Sequence, residues 1–435
     1  MPHEISVTAS AGHFHEPFLE RASENGGSDG QCALAGFLTL RLVDQFGAHR
    51  LPPHPDALAY QCSATRDFLA EFGAETSEVN HLLEIMCVAD TVRQTPGAER
   101  MLFPPLLAFA YWLERQLRLA EALDVLDTAT RLSDGGVGEE EVQLWLQRGR
   151  VLRLSGRFDD AMDAYRSAGD LARAMEDRHS ELLSRIGRGI VLMHLGNLPE
   201  SERVLQRVLV EAREHGDRDA EARASQDLGN TYCHMQRTGL AIPLLFDAYR
   251  LYTDRVHQLR ALSDLGIALK ELGQLQAAEH AFVVVAGGEA PQGVRLTAAL
   301  EVIETSVLRH DRVAFERWKR AVEAHVDAMP YLAVDFAEKV GLGYEHFGNR
   351  RLAAKHLSRA LEMAERFGFN QRVFRIEQLR NDLEAGALEE PAVPQPHFDD
   401  AVRESLRTVA ARLERDRLRH DSEAAMASST AGTGL

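Results

Sequence analysis

A helix pair is written seven times between about Leu106 and Ala364, and no other property of the chain restricts its fold as much. The plainest copy, Leu265 to Phe282, is an apolar helix, a turn at Gly273 and a second helix opened by small residues. With the turn residue as a ruler, the slot falls at Leu117, Gly156, Gly196, Gln236, Gly273, Arg309 and Gly348, at spacings of 39, 40, 40, 37, 36 and 39. Five residues after each slot stand Ala122, Ala161, Ser201, Ala241, Ala278, Ala314 and Ala353, all small. Seven before it stand Ala110, Gly149, Gly189, Gly229, Gly266, Val302 and Gly341, small except for Val302. Nine after it stand the bulky Leu126, Tyr165, Leu205, Leu245, Phe282, Trp318 and Leu357.

Antiparallel helices approach closely only where the facing side chains are small, and a bulky residue further along fills the space beside them. A glycine at the turn tolerates positive φ and ends the first helix. One hairpin cannot bury its apolar face alone, so successive copies must stack. This register resembles the tetratricopeptide repeat family, in its bacterial variant with a period longer than the usual ~34 residues. The resemblance covers well over half the chain. It implies an all-α fold, a right-handed α-solenoid of about seven hairpins, with helices capping its start and one further helix at its end. It also implies a scaffold for peptides or proteins, whose choice of ligand rests on the side chains of the concave face.

Residues 1–29 are rich in Gly, Ser, His and Glu and end in ENGGSDG, a composition expected to stay mobile. Within them His13, His15 and Glu16 are metal-ligand types, but no further ligand follows nearby and no metal is expected. Helical spacing recurs over Gln31 to Gly47, Pro55 to Phe72 and Ser77 to Arg93, three helices without the Gly and Ala register. They read as an N-terminal cap over 30–97, or as a separate docking module. The region is neither basic nor equipped with an Arg/Asn/Gln-rich recognition helix, so a DNA-binding head is not expected.

The solenoid is expected over 98–386, sealed by a helix from Asn370 to Glu384 through Val373, Ile376, Leu379 and Leu383. A linker follows over 387–398, then a terminal helix over 399–427 and a flexible tail over 428–435. The terminal helix carries Val402, Leu406, Val409 and Leu413 at coiled-coil spacing, and the stripe fades at Asp416 and His420. It therefore either pairs with a second copy as a homodimer or folds back onto the solenoid. Its sequence AARLERDRLRHDSEAAMA, followed by SSTAGTGL, also looks like the linker that feeds a diguanylate cyclase domain in bacterial signalling enzymes with a tetratricopeptide sensory half. That resemblance implies the regulatory arm of such an enzyme, although the acidic residue expected before Thr433, Gly434 and Leu435 is missing.

With 435 residues, 45% of them hydrophobic, the chain can bury a continuous core. Its net charge of -17 argues against nucleic acid or an anionic membrane as a partner. Cys32, Cys62, Cys87 and Cys233 lack CxxC spacing and read as reduced, buried thiols. Neither a signal peptide nor a membrane-length apolar run is present, so a cytoplasmic location is expected. There is no GxxxxGK[ST], GxSxG, HExxH or CxxC, and the GxG fragments at Gly187/Gly189 and Gly341/Gly343 fall where small residues serve packing. No enzyme activity, cofactor or metal is expected.

The resemblance places the concave wall on the first helix of each pair, along the face turned away from its partner helix. Cationic and amide groups then gather in the second, fourth and fifth repeats as Arg150, Arg153, Arg223, Gln226, Asn230, Arg260 and Lys270, with His194 and His234 at helix ends. The third repeat presents apolar side chains, and the seventh the acidic Asp335, Glu338 and Glu345. The expectation is a peptide or partner protein whose backbone meets Gln226 and Asn230 and whose carboxylates meet Arg223, Arg260 and Lys270. In residue type this is similar to the carboxylate-clamp grooves of chaperone-binding tetratricopeptide proteins. The alternative is a solvated face whose charges pair with neighbouring Glu and Asp.

Overall fold

A computed structural model describes residues 14–47, 55–71, 76–95, 97–132, 138–326, 329–388, 393, 398 and 400–431, the side chains of Pro55 and 420–431 excepted. Among these residues there is no strand. The chain divides into two units, residues 1–197 and 198–435.

The first unit contains α1 (Glu16–Glu24), α2 (Gly27–Val43), α3 (Pro55–Ala70), α4 (Ser77–Gln94), α5 (Phe103–Arg115), α6 (Leu119–Leu132), α7 (Glu139–Leu154), α8 (Phe158–Ala174) and α9 (Arg178–His194). The second contains α10 (Leu198–His215), α11 (Arg218–His234), α12 (Thr238–Leu251), α13 (Arg255–Glu271), α14 (Leu275–Gly287), α15 (Gln292–Leu308), α16 (Arg312–Glu323), α17 (Pro330–His346), α18 (Arg350–Arg366), α19 (Asn370–Ala385) and α20 (Asp400–Ala431). In each unit successive helices up to α19 pack on one another, and first helices also touch first helices: α5, α7 and α9 in one, and α11, α13, α15 and α17 in the other.

The turn ruler holds at six slots. Leu117, Gly156, Gly196, Gln236, Gly273 and Gly348 all adopt positive φ. There the amide after the slot reaches back to close the helix, as Gln274 N does to Leu269 O at 2.9 Å. The sixth slot is His310 (φ 57), not Arg309, so the sixth pair runs one residue later than its sequence register suggests. Its small-residue position is then filled by Phe315, whose ring lies directly against Gly343 of α17. Gly386 also has positive φ (66) and follows Gly348 by one repeat length, so α19 is an eighth first helix. Asp177, Asp217, Asp254, Asp311 and Asn349 each accept an N–H at the start of the helix they precede.

The small residues do what their spacing requires. A Cβ added to Gly149 would lie 2.9 Å from the Tyr165 ring, and one on Gly341 2.9 Å from Leu357. The bulky side chain nine after the slot thus lies on the glycine seven before it. The GxG fragments are packing features too: Gly187 lies against Tyr165 and Gly343 against Phe315.

The amino-terminal segment departs from expectation. Residues 16–24 form α1, and α2 begins at Gly27 rather than Gln31, so 14–29 are ordered. Phe18 supplies the burial that the composition obscures: it is fully buried against Gly36 and lies 6.2 Å from Phe109. His13, like residues 1–12, lies outside the described residues. His15 is occupied by protein carboxylates, with Nδ1 2.9 Å from Asp124 and Nε2 3.3 Å from Asp44.

The terminal helix lies on its own chain, as the second of its two readings expects. In α20, Leu406, Val409 and Leu413 are buried against this chain's own α12 and α14, where Tyr249 donates to Asp416 at 3.1 Å. Those seam positions are therefore covered within the chain. Most of the expected linker and Thr433, Gly434 and Leu435 lie outside the described residues. Cys32 and Cys62 are buried as expected, whereas Cys233 is half-buried and Cys87 exposed. Among the described residues no helix is long and apolar enough to cross a membrane.

Candidate functional site

In the first unit the expected wall residues are held by neighbouring side chains. Arg150 Nε on α7 donates to Glu114 Oε1 on α5 at 2.7 Å, and Gln147 Nε2 donates to the other oxygen at 2.7 Å. Arg153 reaches His194 Nε2 at 3.5 Å. The exposed His194 ring stacks on Phe158, with centroids 5.6 Å apart.

In the second unit α11 and α13 form the richer face. Gln226 Nε2 and Asn230 Nδ2, one turn apart on α11, both donate to Asp264 Oδ2 on α13, at 2.7 and 3.1 Å. Tyr252 donates its hydroxyl to Gln226 Oε1 at 2.9 Å. Burial pushes the Asp264 carboxyl above the usual range, against the two amides and the Arg260 charge. Arg223 Nε holds Asp219 at 2.6 Å. His257 stacks on Tyr252 at 5.5 Å, and its pKa is lowered by burial and then by the charge of Arg223, with Arg260 adding to it. Arg223, Gln226, Asn230 and Arg260 thus share one half-buried neighbourhood.

Lys270 does not join them. It pairs with Glu301 and Glu304 on α15, which also bind Lys339 of α17, and these two lysines hold Glu304 down to about 2 against its burial. Two lysines shared between two carboxylates tie three first helices together and leave Lys270 little charge for a ligand. His234 is exposed at the end of α11. The acid of the seventh repeat is matched as well, since Arg372 of α19 binds Asp335 and Glu338 and Arg375 binds Glu338.

Asp264, Tyr252, His257 and Glu301 were missing from the expected wall. One signal was available, because a polar residue stands nine before the slot at Gln147, Asp264, Glu301 and Lys339 once the sixth slot is set at His310. Each of these bonds to a neighbouring first helix, so the row marks the seam between them. Tyr252 and His257 lie outside the helix-pair register and carry no periodic signal.

A family model of the tetratricopeptide repeat matches residues 180–254. No curated relative matches the sequence. Similar solved structures include a tetratricopeptide repeat protein from Parabacteroides merdae, 16% identical, covering 65% of this chain and 98% of that one, TM-score 0.42. The apo form of the quorum sensor NprR from B. thuringiensis is 12% identical, covering 76% and 99%, TM-score 0.47. A Rap protein complexed with competence and sporulation factor is 12% identical, covering 83% and 99%, TM-score 0.43. The likeness rests on residues: slots in the left-handed conformation at a steady interval, glycines pressed on bulky partners, and the match over 180–254. Residues 180–254 thus match the tetratricopeptide repeat, and the helix pairs on both sides of them keep the same register.

Proposed function

We propose that the α11–α13 face binds a peptide segment of a partner protein, and that the chain works as a non-enzymatic interaction scaffold or sensor in the cytoplasm. The observation that carries this reading is the shared neighbourhood of Arg223, Arg260 and His257 with the amides of Gln226 and Asn230. Asp264 and Tyr252 hold those amides in place, so less side-chain freedom is lost when a ligand arrives. Two guanidinium groups beside them suit a peptide carboxylate through charge-assisted hydrogen bonds. Unpaired thiols fit a reducing compartment.

The test is comparative capture. The intact chain is immobilised, partners are identified by mass spectrometry, and the capture is repeated with Arg223→Ala/Arg260→Ala. The double variant loses the partners while keeping its helicity and melting temperature. Equal capture by both proteins excludes this face.

A further inference from the structure

His310 and His346 come from different helix pairs, 36 residues apart in sequence, and meet with His346 Nε2 2.8 Å from His310 Nδ1. Their ring centroids are 4.7 Å apart, tilted by 33°. We propose that this pair chelates a borderline divalent transition ion such as Ni²⁺, Zn²⁺ or Cu²⁺. Two imidazole nitrogens bound to one such ion at about 2.0–2.1 Å lie roughly 3 Å apart when they occupy neighbouring coordination positions. The observed separation is close to that bite. Imidazole is the ligand type that suits these ions.

The backbone supports the assignment. His310 sits at a turn slot with φ 57, where Gly156, Gly196, Gly273 and Gly348 stand in other pairs. A side chain at this left-handed position is held at an energetic cost, and such positions concentrate at ligand sites. Of the slots without glycine, filled by Leu117, Gln236 and His310, only the last brings a metal ligand, and it brings it to a second histidine. His346 is braced edge-on by Phe347 at 5.1 Å, which packs on Phe315 at 5.3 Å, while His310 is exposed. Among the described residues no third His, Cys, Asp or Glu gathers with the pair, so the remaining positions of the ion belong to water or to a ligand from a partner.

Binding needs a lone pair on both facing nitrogens. The imidazole that donates the hydrogen bond therefore carries its proton on its other nitrogen in the loaded form, and no net proton is released from a neutral pair. Ni²⁺ alone is the probe, titrated into the full chain by calorimetry and by thermal melting. The wild type takes up one ion at this pair and its melting temperature rises. Outer partners of metal ligands are typically worth about 10–100-fold in affinity, so loss of one of only two direct ligands costs at least that much. His310→Gly and His346→Asn each abolish this uptake. His310→Gly suits the left-handed slot, so its melting temperature in EDTA stays at or above that of the wild type, which separates ligand loss from misfolding. No uptake by the wild type, or unchanged uptake by His310→Gly, overturns the proposal; the latter would show chelation by other histidines of the chain.

Discussion

Gly266 and Phe282 approach so closely that a Cβ on the glycine would lie 2.6 Å from Cε1 of the phenyl ring. The relationship recurs, at the same separation along the chain, as Gly149 with Tyr165, Gly229 with Leu245 and Gly341 with Leu357. Each bulky side chain of a second helix uses the missing side chain of its first helix as a socket. These sockets, more than the turns, set how near the two helices lie.

Filling a socket should destabilise its hairpin. Gly266→Val forces the Phe282 ring or the helix to move, and overpacking of this kind costs about 1–3 kcal/mol. Gly266→Ala gains roughly 0.5–1 kcal/mol of helix preference that partly offsets the clash. The informative comparison is Gly266→Ala alone, Phe282→Leu alone and both together, in urea unfolding. Coupling of about 0.5–3 kcal/mol is expected for residues in contact. Strict additivity would falsify the socket.

Asp264 orders the polar face. Asp264→Leu strips Gln226 and Asn230 of their common acceptor, and a buried donor left unsatisfied costs about 1–3 kcal/mol. Asp264→Asn keeps an acceptor oxygen and is milder. Its effect depends on pH: a carboxyl whose folded-state pKa is raised costs stability as the pH climbs past the ordinary Asp value of 3.8. The asparagine variant therefore gains on the wild type between acid and neutral pH in thermal melts. A constant difference across that range counts against a strained carboxylate at Asp264.

The repeat architecture was legible because close packing leaves a periodic mark: a socket needs a small residue at one position and a bulky one at a fixed interval beyond it, whatever the rest of the helix carries. The sixth pair misled because Ala314 and Trp318 mimic that spacing one residue early, whereas Phe315 reaches across to Gly343 instead. Polar contacts left fainter marks. The face around Arg223, Gln226, Asn230 and Arg260 was found by counting back from the slot, but its organiser Asp264 stands in the row used for seams. Lys270 looked equivalent to its neighbours until Glu301 and Glu304, on another helix, were seen to hold it. The order of α1 was hidden for a related reason. Phe18, His15 and Arg21 find their partners at Gly36, Asp44, Glu78, Phe109, Glu121 and Asp124, and pairings at such separations have no period to read.

The terminal helix supplies a further expectation. Val409 and Leu413 are buried on α12 and α14, so Leu413→Asp places a charge in an apolar contact and should detach α20 without melting the repeats. Limited proteolysis between residues 400 and 419 then accelerates, while the main thermal transition shifts little. Removal of residues 399–435 should leave the sedimentation-derived oligomeric state unchanged. A shift from dimer to monomer on that truncation would instead support pairing of this helix between copies.

His15 makes the attachment of α1 dependent on pH. The side chain is 2% exposed and lies between Asp124 and Asp44, with Arg131 Nε 3.0 Å from Asp44 and with Phe14 and Phe37 alongside. Burial alone pulls its pKa down, but hydrogen bonds and charge from the two aspartates outweigh burial and leave it raised above 6.5. A histidine with a raised folded-state pKa stabilises most below its unfolded value, and that stabilisation disappears as the pH rises through the folded-state value. Asp44, held below the usual range by His15 and Arg131 despite its burial, acts in the opposite sense and loses its contribution as the pH falls through its own lowered value. Protection of residues 16–24 against hydrogen exchange, corrected for the intrinsic rate, should therefore be greatest in mildly acid solution and decline above neutrality. His15→Gln removes the charge and should flatten that decline, and Asp124→Asn should weaken it. A profile for His15→Gln that overlays the wild type would show that Phe18 alone anchors the helix.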